Sequence, residues 1–220
     1  MTAGADTPDR RGRTGLDRTG LELTGNPRVR VRDVRLLSSH WYVERTTTFD
    51  FRHSDGTWST QERETHDRGN GATLLLYDAE RETVLLIRQF RYPAYVNGHA
   101  DGMLVETPGG LLDAEDEHPE LAVRREAVEE TGHTVGEVQH VFDVYMSPGS
   151  VTERISFFAA SYGASTHTHE GGGLEEEGED IEVLELPFRT ALGMIRTGEI
   201  SDAKTIMLLQ WAALEGPFAK

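Results

Sequence analysis

The stretch Arg125-Glu126-Ala127-Val128-Glu129-Glu130-Thr131-Gly132 places three carboxylates at i, i+3 and i+4. On a helix, Glu126, Glu129 and Glu130 project from one face within about one turn. Like charges at that spacing repel, so stability alone does not account for them. A divalent cation neutralises such a set, and hard oxygen donors in this number suit Mg²⁺. The plainer reading is a solvated acidic surface, with Arg124 and Arg125 making ordinary ion pairs to nearby glutamates. The Gly109-Gly110 loop upstream favours the chemical reading. The helix has its own signals. Asp116 or Glu117 can cap it, Pro119 suits its first turn and Glu120 complements the dipole. Thr131-Gly132 stops it, with glycine at the left-handed position. On a helical wheel Leu121 and Val128 fall nearly opposite the carboxylates, so the expectation is a core stripe on that side.

Gly110, Glu117, Arg125, Glu126, Glu129, Glu130 and Gly132 together resemble the Nudix box, the loop–helix signature of Nudix hydrolases. The usual spacing places five residues between the first glycine and the glutamate. Here six separate Gly110 from Glu117, and five lands on Asp116. Blocks outside the box are similar to the GDP-mannose pyrophosphatase (NudK-type) subfamily. They are Glu64–Thr73, Ile87–Arg91, Tyr95–Gly98, Tyr145–Glu153, Glu179–Phe188, Gly198–Ile200 and Asp202–Thr205.

The resemblance implies a set of roles. Glu126 and Glu130 are the principal Mg²⁺ ligands, with Mn²⁺ a possible substitute, and the Gly109 carbonyl completes the site. Glu129 is either a third ligand or a residue that orients the others. Arg125 pairs with a helix glutamate and holds its rotamer. Glu179 is a metal ligand and a candidate general base, and Glu153 matches a substrate-contacting position. Gly109, Gly110 and Leu111 line the substrate side of the box loop. Arg91 and Arg63 face the phosphates, because the guanidinium fork donates two hydrogen bonds to a phosphate. Arg88 reads instead as a structural ion pair. Trp41, Glu62 and Glu64 match positions that hold the nucleotide base, and Lys204 matches a substrate-binding lysine. His167 and His169, two apart in a loop without cysteine, make a weak zinc pattern and read as loop residues.

These residues need a scaffold. At 220 residues the chain fits one domain with a small N-terminal addition. Its 37% hydrophobic and 27% charged residues suit a soluble globular core. No apolar run approaches the ~18 residues of a membrane span. Residues 1–27 contain no hydrophobic stretch of the kind a signal peptide needs. The absence of cysteine excludes thiol catalysis and fits a reducing cytoplasm. A net charge of −16 argues against non-specific nucleic-acid binding. It also means that an anionic substrate must be met locally, by metal and arginine.

Residues 1–27 read as a disordered tail. Alternation then predicts strands at Val29–Val34, Trp41–Val43, Thr46–Phe51 and Trp58–Thr65. A hairpin follows at Leu74–Tyr77 and Val84–Phe90, then a short strand at Met103–Glu106. Beyond the box helix come strands at Val135–Met146, Arg154–Tyr162 and Ile181–Pro187. Helices close the chain at about Arg189–Thr197 and Ser201–Leu214. This order fits an α/β (α+β) sandwich. The resemblance makes it the Nudix fold: a mixed sheet between helices, with an N-terminal antiparallel β unit used in homodimerisation. The expected division is 1–27 tail, 28–66 β unit and 67–216 hydrolase domain. The implied activity is hydrolysis of a nucleotide sugar, GDP-mannose, to GMP and mannose 1-phosphate. An ADP-ribose or other nucleotide-sugar pyrophosphatase is the alternative, and a non-catalytic nucleotide sensor the third reading.

Overall fold

In the computed structural model, the alternating β-branched and aromatic residues near the N-terminus form three strands. They are β1 (Val29–Ser39), β2 (Val43–Arg52) and β3 (Trp58–Asp67). The structure describes residues 20–21, 23–40, 42–112, 118–174 and 178–219. The three strands pair antiparallel in the order β1-β2-β3, with Val43 opposite Asp67 and Arg52 opposite Trp58. Much of this sheet's interior is polar. Arg45 and Asp67 are both buried and pair at 3.3 Å. Asp50 accepts from Arg32 Nε at 2.7 Å and Thr60 Oγ1 at 2.9 Å, so its buried charge is matched. This sheet belongs to a compact unit of residues 20–70 with 111–112 and Val144–Ile155.

The remaining strands form a seven-stranded mixed sheet. They are β4 (Gly71–Asp78), β5 (Thr83–Phe90), β6 (Met103–Glu106), β7 (Gly109–Leu111), β8 (Val138–Tyr145), β9 (Arg154–Ser161) and β10 (Glu182–Pro187). The main path runs β10-β5-β4-β9-β8. Six successive residues of β4, Gly71–Leu76, are buried, as are Ile155–Ala160 of β9. Such uninterrupted burial requires cover on both faces of the sheet. The helices supply it: α2 (Pro119–Thr131), α3 (Phe188–Thr197) and α4 (Ala203–Leu214) all pack on strands of this sheet. The core holds Leu74, Leu76, Leu86, Ile87 and Phe157 with Leu208 and Leu209 of α4. Among the described residues no helix is long and apolar enough to cross a membrane.

One irregularity positions the site. β4 pairs with β5 only through Leu76–Asp78, opposite Thr83–Leu85. Beyond that point β6 takes the edge of β5, with Glu106 opposite Ile87, while β7 pairs with β4. The segment Glu106–Gly110 therefore turns between two central strands, inside the sheet.

Several expectations need correction. The hairpin and the closing helices form as the pattern predicts, but the stripe on α2 does not. Leu121 is 60% exposed; the buried face carries Ala122, Val123 and Ala127, with Glu130 itself buried. The N-cap is His118, whose Nδ1 accepts from Glu120 N–H at 3.3 Å, and not Asp116 or Glu117, which lie outside the described residues. The strand expected from Val135 begins at Val138. A short helix, α1 (Tyr92–Val96), stands where no element was expected, started by Pro93.

Candidate active site

Glu126, Glu129 and Glu130 leave α2 together, on the side that faces the Gly109-Gly110 loop. Gly109 N–H donates to Glu130 Oε2 at 2.8 Å. A Cβ on Gly110 would lie 2.3 Å from Glu126 Oε1, so that carboxylate rests against the bare Cα of the glycine. Arg125 Nη1 donates to Glu126 Oε1 at 3.0 Å and to Glu129 Oε2 at 3.1 Å. The arginine thus ties two of the three carboxylates and leaves Glu130 to the backbone. Glu179 lies in the loop before β10, its Oε2 accepting from Leu174 N–H at 2.9 Å.

The electrostatics are those of crowded, desolvated acids. Burial pushes the Glu126 carboxyl up to about 7; Arg125 opposes this, while Glu129 and Glu179 add to it. Burial, then Glu126, hold Glu130 well above the ordinary carboxylate range, against the hydrogen bond from Gly109. Carboxyls desolvated and crowded in this way favour a neighbouring cation. The side-chain donors are all carboxylate oxygens, which fits a hard divalent ion. Among the described residues no three acidic or histidine side chains are already gathered closely enough to enclose one.

A second group flanks the same loop. Glu106, at the end of β6, is buried and accepts from Arg91 Nε at 2.9 Å and Nη2 at 3.0 Å. Lys204 Nζ lies 3.6 Å from Glu106 and 2.6 Å from Asp202 Oδ1. Burial acts to lower the Lys204 ammonium, but Glu106 and Asp202 outweigh it and hold it above its usual value. Arg91 keeps 39% of its side chain exposed. The loop backbone is fixed by hydroxyls: Thr107 N–H donates to Thr205 Oγ1 at 2.7 Å, and Thr73 Oγ1 donates to Pro108 O at 3.1 Å.

A model of the NUDIX domain matches residues 67–209, more than half of the chain. The chain belongs to the Nudix hydrolase family. A model of the GDP-mannose pyrophosphatase NudK N-terminal domain matches residues 28–66. A GDP-mannose pyrophosphatase of Pectobacterium atrosepticum is 54% identical over 186 residues, covering 84% of this chain and 94% of the relative. One from Escherichia coli is 52% identical over 177 residues, covering 80% and 91%. These relatives place the chain in the NudK-type subfamily. A crystal structure of an ADP compounds hydrolase superposes with a TM-score of 0.67 at 16% identity, over 89% of this chain and all of that one, and so shares the fold.

The expected Nudix site residues are distributed as follows. Gly109, Gly110, Arg125, Glu126, Glu129, Glu130, Glu179, Arg91 and Lys204 all lie in the unit built on the large sheet. Leu111, Glu62, Arg63, Glu64 and Glu153 belong to the other unit. Strand alternation puts Glu62 and Glu64 on one face of β3 and Arg63 on the other. Arg63 donates to Glu62 O and Gln61 Oε1. Glu153 is buried and pairs with Arg68 at 3.2 Å. Trp41 lies outside the described residues. Arg88 makes an exposed ion pair with Glu182, as expected of a structural arginine. His167 stacks obliquely near His133, while His169 Nδ1 accepts from Gly171 N–H, so the two histidines have different partners.

Sequence reasoning assigned nothing to Glu106, Asp202 or the threonines. Glu106 gave one signal: a lone acid ending an apolar strand, one residue before Pro108-Gly109-Gly110.

Proposed function

We propose that this Nudix hydrolase cleaves the diphosphate of a nucleotide sugar, GDP-mannose, releasing GMP and mannose 1-phosphate. The observation that carries the reading is the pair of carboxylates Glu126 and Glu130 against the Gly109-Gly110 loop, with Arg91 and Lys204 paired to Glu106 beside that loop and Glu179 held by Leu174 N–H. The choice of GDP-mannose follows the names of relatives above 50% identity. Glu126, Glu130, Glu179 and the Gly109 carbonyl would hold Mg²⁺, which Mn²⁺ can replace. When bound, the metal neutralises charge on the diphosphate and acidifies nearby water.

The chain's own residues do the rest. Arg125 holds Glu126 and Glu129 in place. Gly109 N–H fixes one oxygen of Glu130. Glu179 accepts the proton of the attacking water as its oxygen joins phosphorus and the P–O–P bond breaks. Arg91 and Lys204 supply cations for the diphosphate; Glu106 and Asp202 keep both side chains ordered. Arg63, Glu62, Glu64, Leu111, Glu153 and Trp41 are assigned to substrate.

We further propose a cytoplasmic homodimer joined through the β unit of residues 28–66, followed by the hydrolase domain of 67–216. Support comes from exposed Leu36, Leu37 and Trp58 on that unit, from the family-model boundary after residue 66, and from the cysteine-free composition.

The test is incubation with GDP-mannose, ADP-ribose and UDP-glucose plus Mg²⁺, with products resolved by chromatography and the Glu130→Gln chain as control. The expected result is GMP and mannose 1-phosphate from GDP-mannose, lost in the control, whose circular dichroism is unchanged. Preference for ADP-ribose moves the assignment to that substrate. Near-wild-type turnover by Glu130→Gln refutes the carboxylate assignment.

A further inference from the structure

Glu179 is seated by its own loop. Besides the bond from Leu174 N–H to its carboxylate, Glu179 N–H donates to Leu174 O at 3.3 Å. The same loop is fastened to the end of α2. Gly172 N–H donates to the Glu130 carbonyl and Gly173 N–H to the Glu129 carbonyl, both at 3.0 Å. Those carbonyls are among the four that a helix end leaves without intrahelical partners. One short segment therefore caps the helix bearing Glu126–Glu130 and carries the fourth carboxylate. The charge on Glu179 is felt by both Glu126 and Glu130.

Gly173 stands between the two attachments, at φ +79°. A Cβ there would lie 2.5 Å from Glu179 Oε2 and 2.8 Å from Glu179 Cβ. The near end of a side chain cannot yield as its far end can, so Glu179 would have to leave its seat. We propose that Gly173 is a positioning residue for the hydrolysis: the missing side chain lets Glu179 lie against Leu174 N–H on the carboxylate side of α2. This rests on the reading of Glu179 as a catalytic group. Gly110 differs, because a Cβ there would meet only the far end of Glu126.

Two effects of a Gly173→Ala change must be separated, because any side chain at positive φ is strained. Gly198 at the end of α3 has φ +84° and no atom within 4 Å of where its Cβ would stand, so Gly198→Ala carries strain without collision. The experiment measures kcat, KM and melting temperature with GDP-mannose and Mg²⁺ for wild type, Gly198→Ala, Gly173→Ala, Glu179→Gln and the Gly173→Ala/Glu179→Gln double variant. Gly173→Ala is expected to lose about tenfold or more in kcat with KM within about threefold, because the group lost acts on proton transfer. Gly198→Ala keeps the wild-type kcat. In the Glu179→Gln background the further change at Gly173 costs less than about twofold, since one group cannot be lost twice.

Melting supplies a second arm that holds even if Gly173→Ala folds poorly. Replacing Glu179 by glycine removes both atoms that the new Cβ meets on that residue, and so recovers part of the melting temperature lost by Gly173→Ala. If Glu179→Gln alone keeps full kcat, the catalytic reading of Glu179 falls and this inference with it. If Glu179→Gln is impaired but Gly173→Ala behaves as Gly198→Ala, or the two losses simply add, only the inference falls.

Discussion

At the scale of single residues, the site is an acid cluster held together by Arg125 and the Gly109 backbone. Burial pushes Glu126 from an ordinary 4.5 up to about 7, and raises Glu130 as well. The folded, metal-free protein therefore binds these protons more tightly than the unfolded chain. That contribution to stability is full below the unfolded value and is lost as pH rises through about 7. On the proposed assignment a divalent ion would reverse the trend, because it would bind the ionised carboxylates and have to displace protons at lower pH. Added Mg²⁺ should raise the melting temperature more at about pH 8 than at about pH 5.5, and Glu126→Gln should shrink that difference. Scanning calorimetry with and without Mg²⁺ checks it; equal shifts at both pH values would count against the cluster as the metal site. The carboxylates of the box were legible in the sequence because their chemistry is written in residue type and local spacing. Glu106 was not, because its partners Arg91 and Lys204 stand far from it in the chain and meet it only in the fold.

At the scale of elements, the box loop is held by neighbours it cannot specify. Thr205, fully buried at the start of α4, accepts from Thr107 N–H and donates to Asp202 Oδ2 at 2.8 Å. Asp202 also accepts from Thr205 N–H, capping the helix, and binds Lys204. One hydroxyl therefore links the cap of α4 to the loop that carries Gly109. Thr205→Val keeps the shape but leaves the buried Thr107 N–H without its acceptor. The expected loss is about 2 kcal/mol in urea unfolding. Activity should fall further than stability explains, since Gly109 moves with the loop. The existence of α2 was readable from Pro119, Glu120 and the Thr131-Gly132 stop, and α3 and α4 were expected close to where they stand. Which face of α2 is buried was not. Leu121 looked like core on the wheel, but packing on β4 selected the small residues Ala122, Val123 and Ala127, which let the helix sit close enough to bring Glu130 to the loop.

For the whole molecule, charge is the governing quantity. A net −16 repels an anionic nucleotide sugar, while on the proposed assignment Arg91 and Lys204 would attract it only at short range. Screening should relieve the long-range repulsion first. At constant free Mg²⁺, kcat/KM is expected to rise as NaCl goes from about 10 to about 150 mM, where the Debye length falls below about 10 Å. Steady-state kinetics across that range decide it; a fall would mean that the local cations dominate encounter.

The sequence by itself determined the family, the acid cluster and the order of the longer strands and helices of residues 67–216, because each is encoded over a span of a few residues to one helix. Only the tertiary structure decided the burial that raises Glu126 and Glu130 and the pairing of Glu106 with two distant cations. It also decided the meeting of Gly173 with Glu179 at the end of α2. Those depend on which surfaces lose water and which chain segments come together, and no local pattern of residue types carries that information.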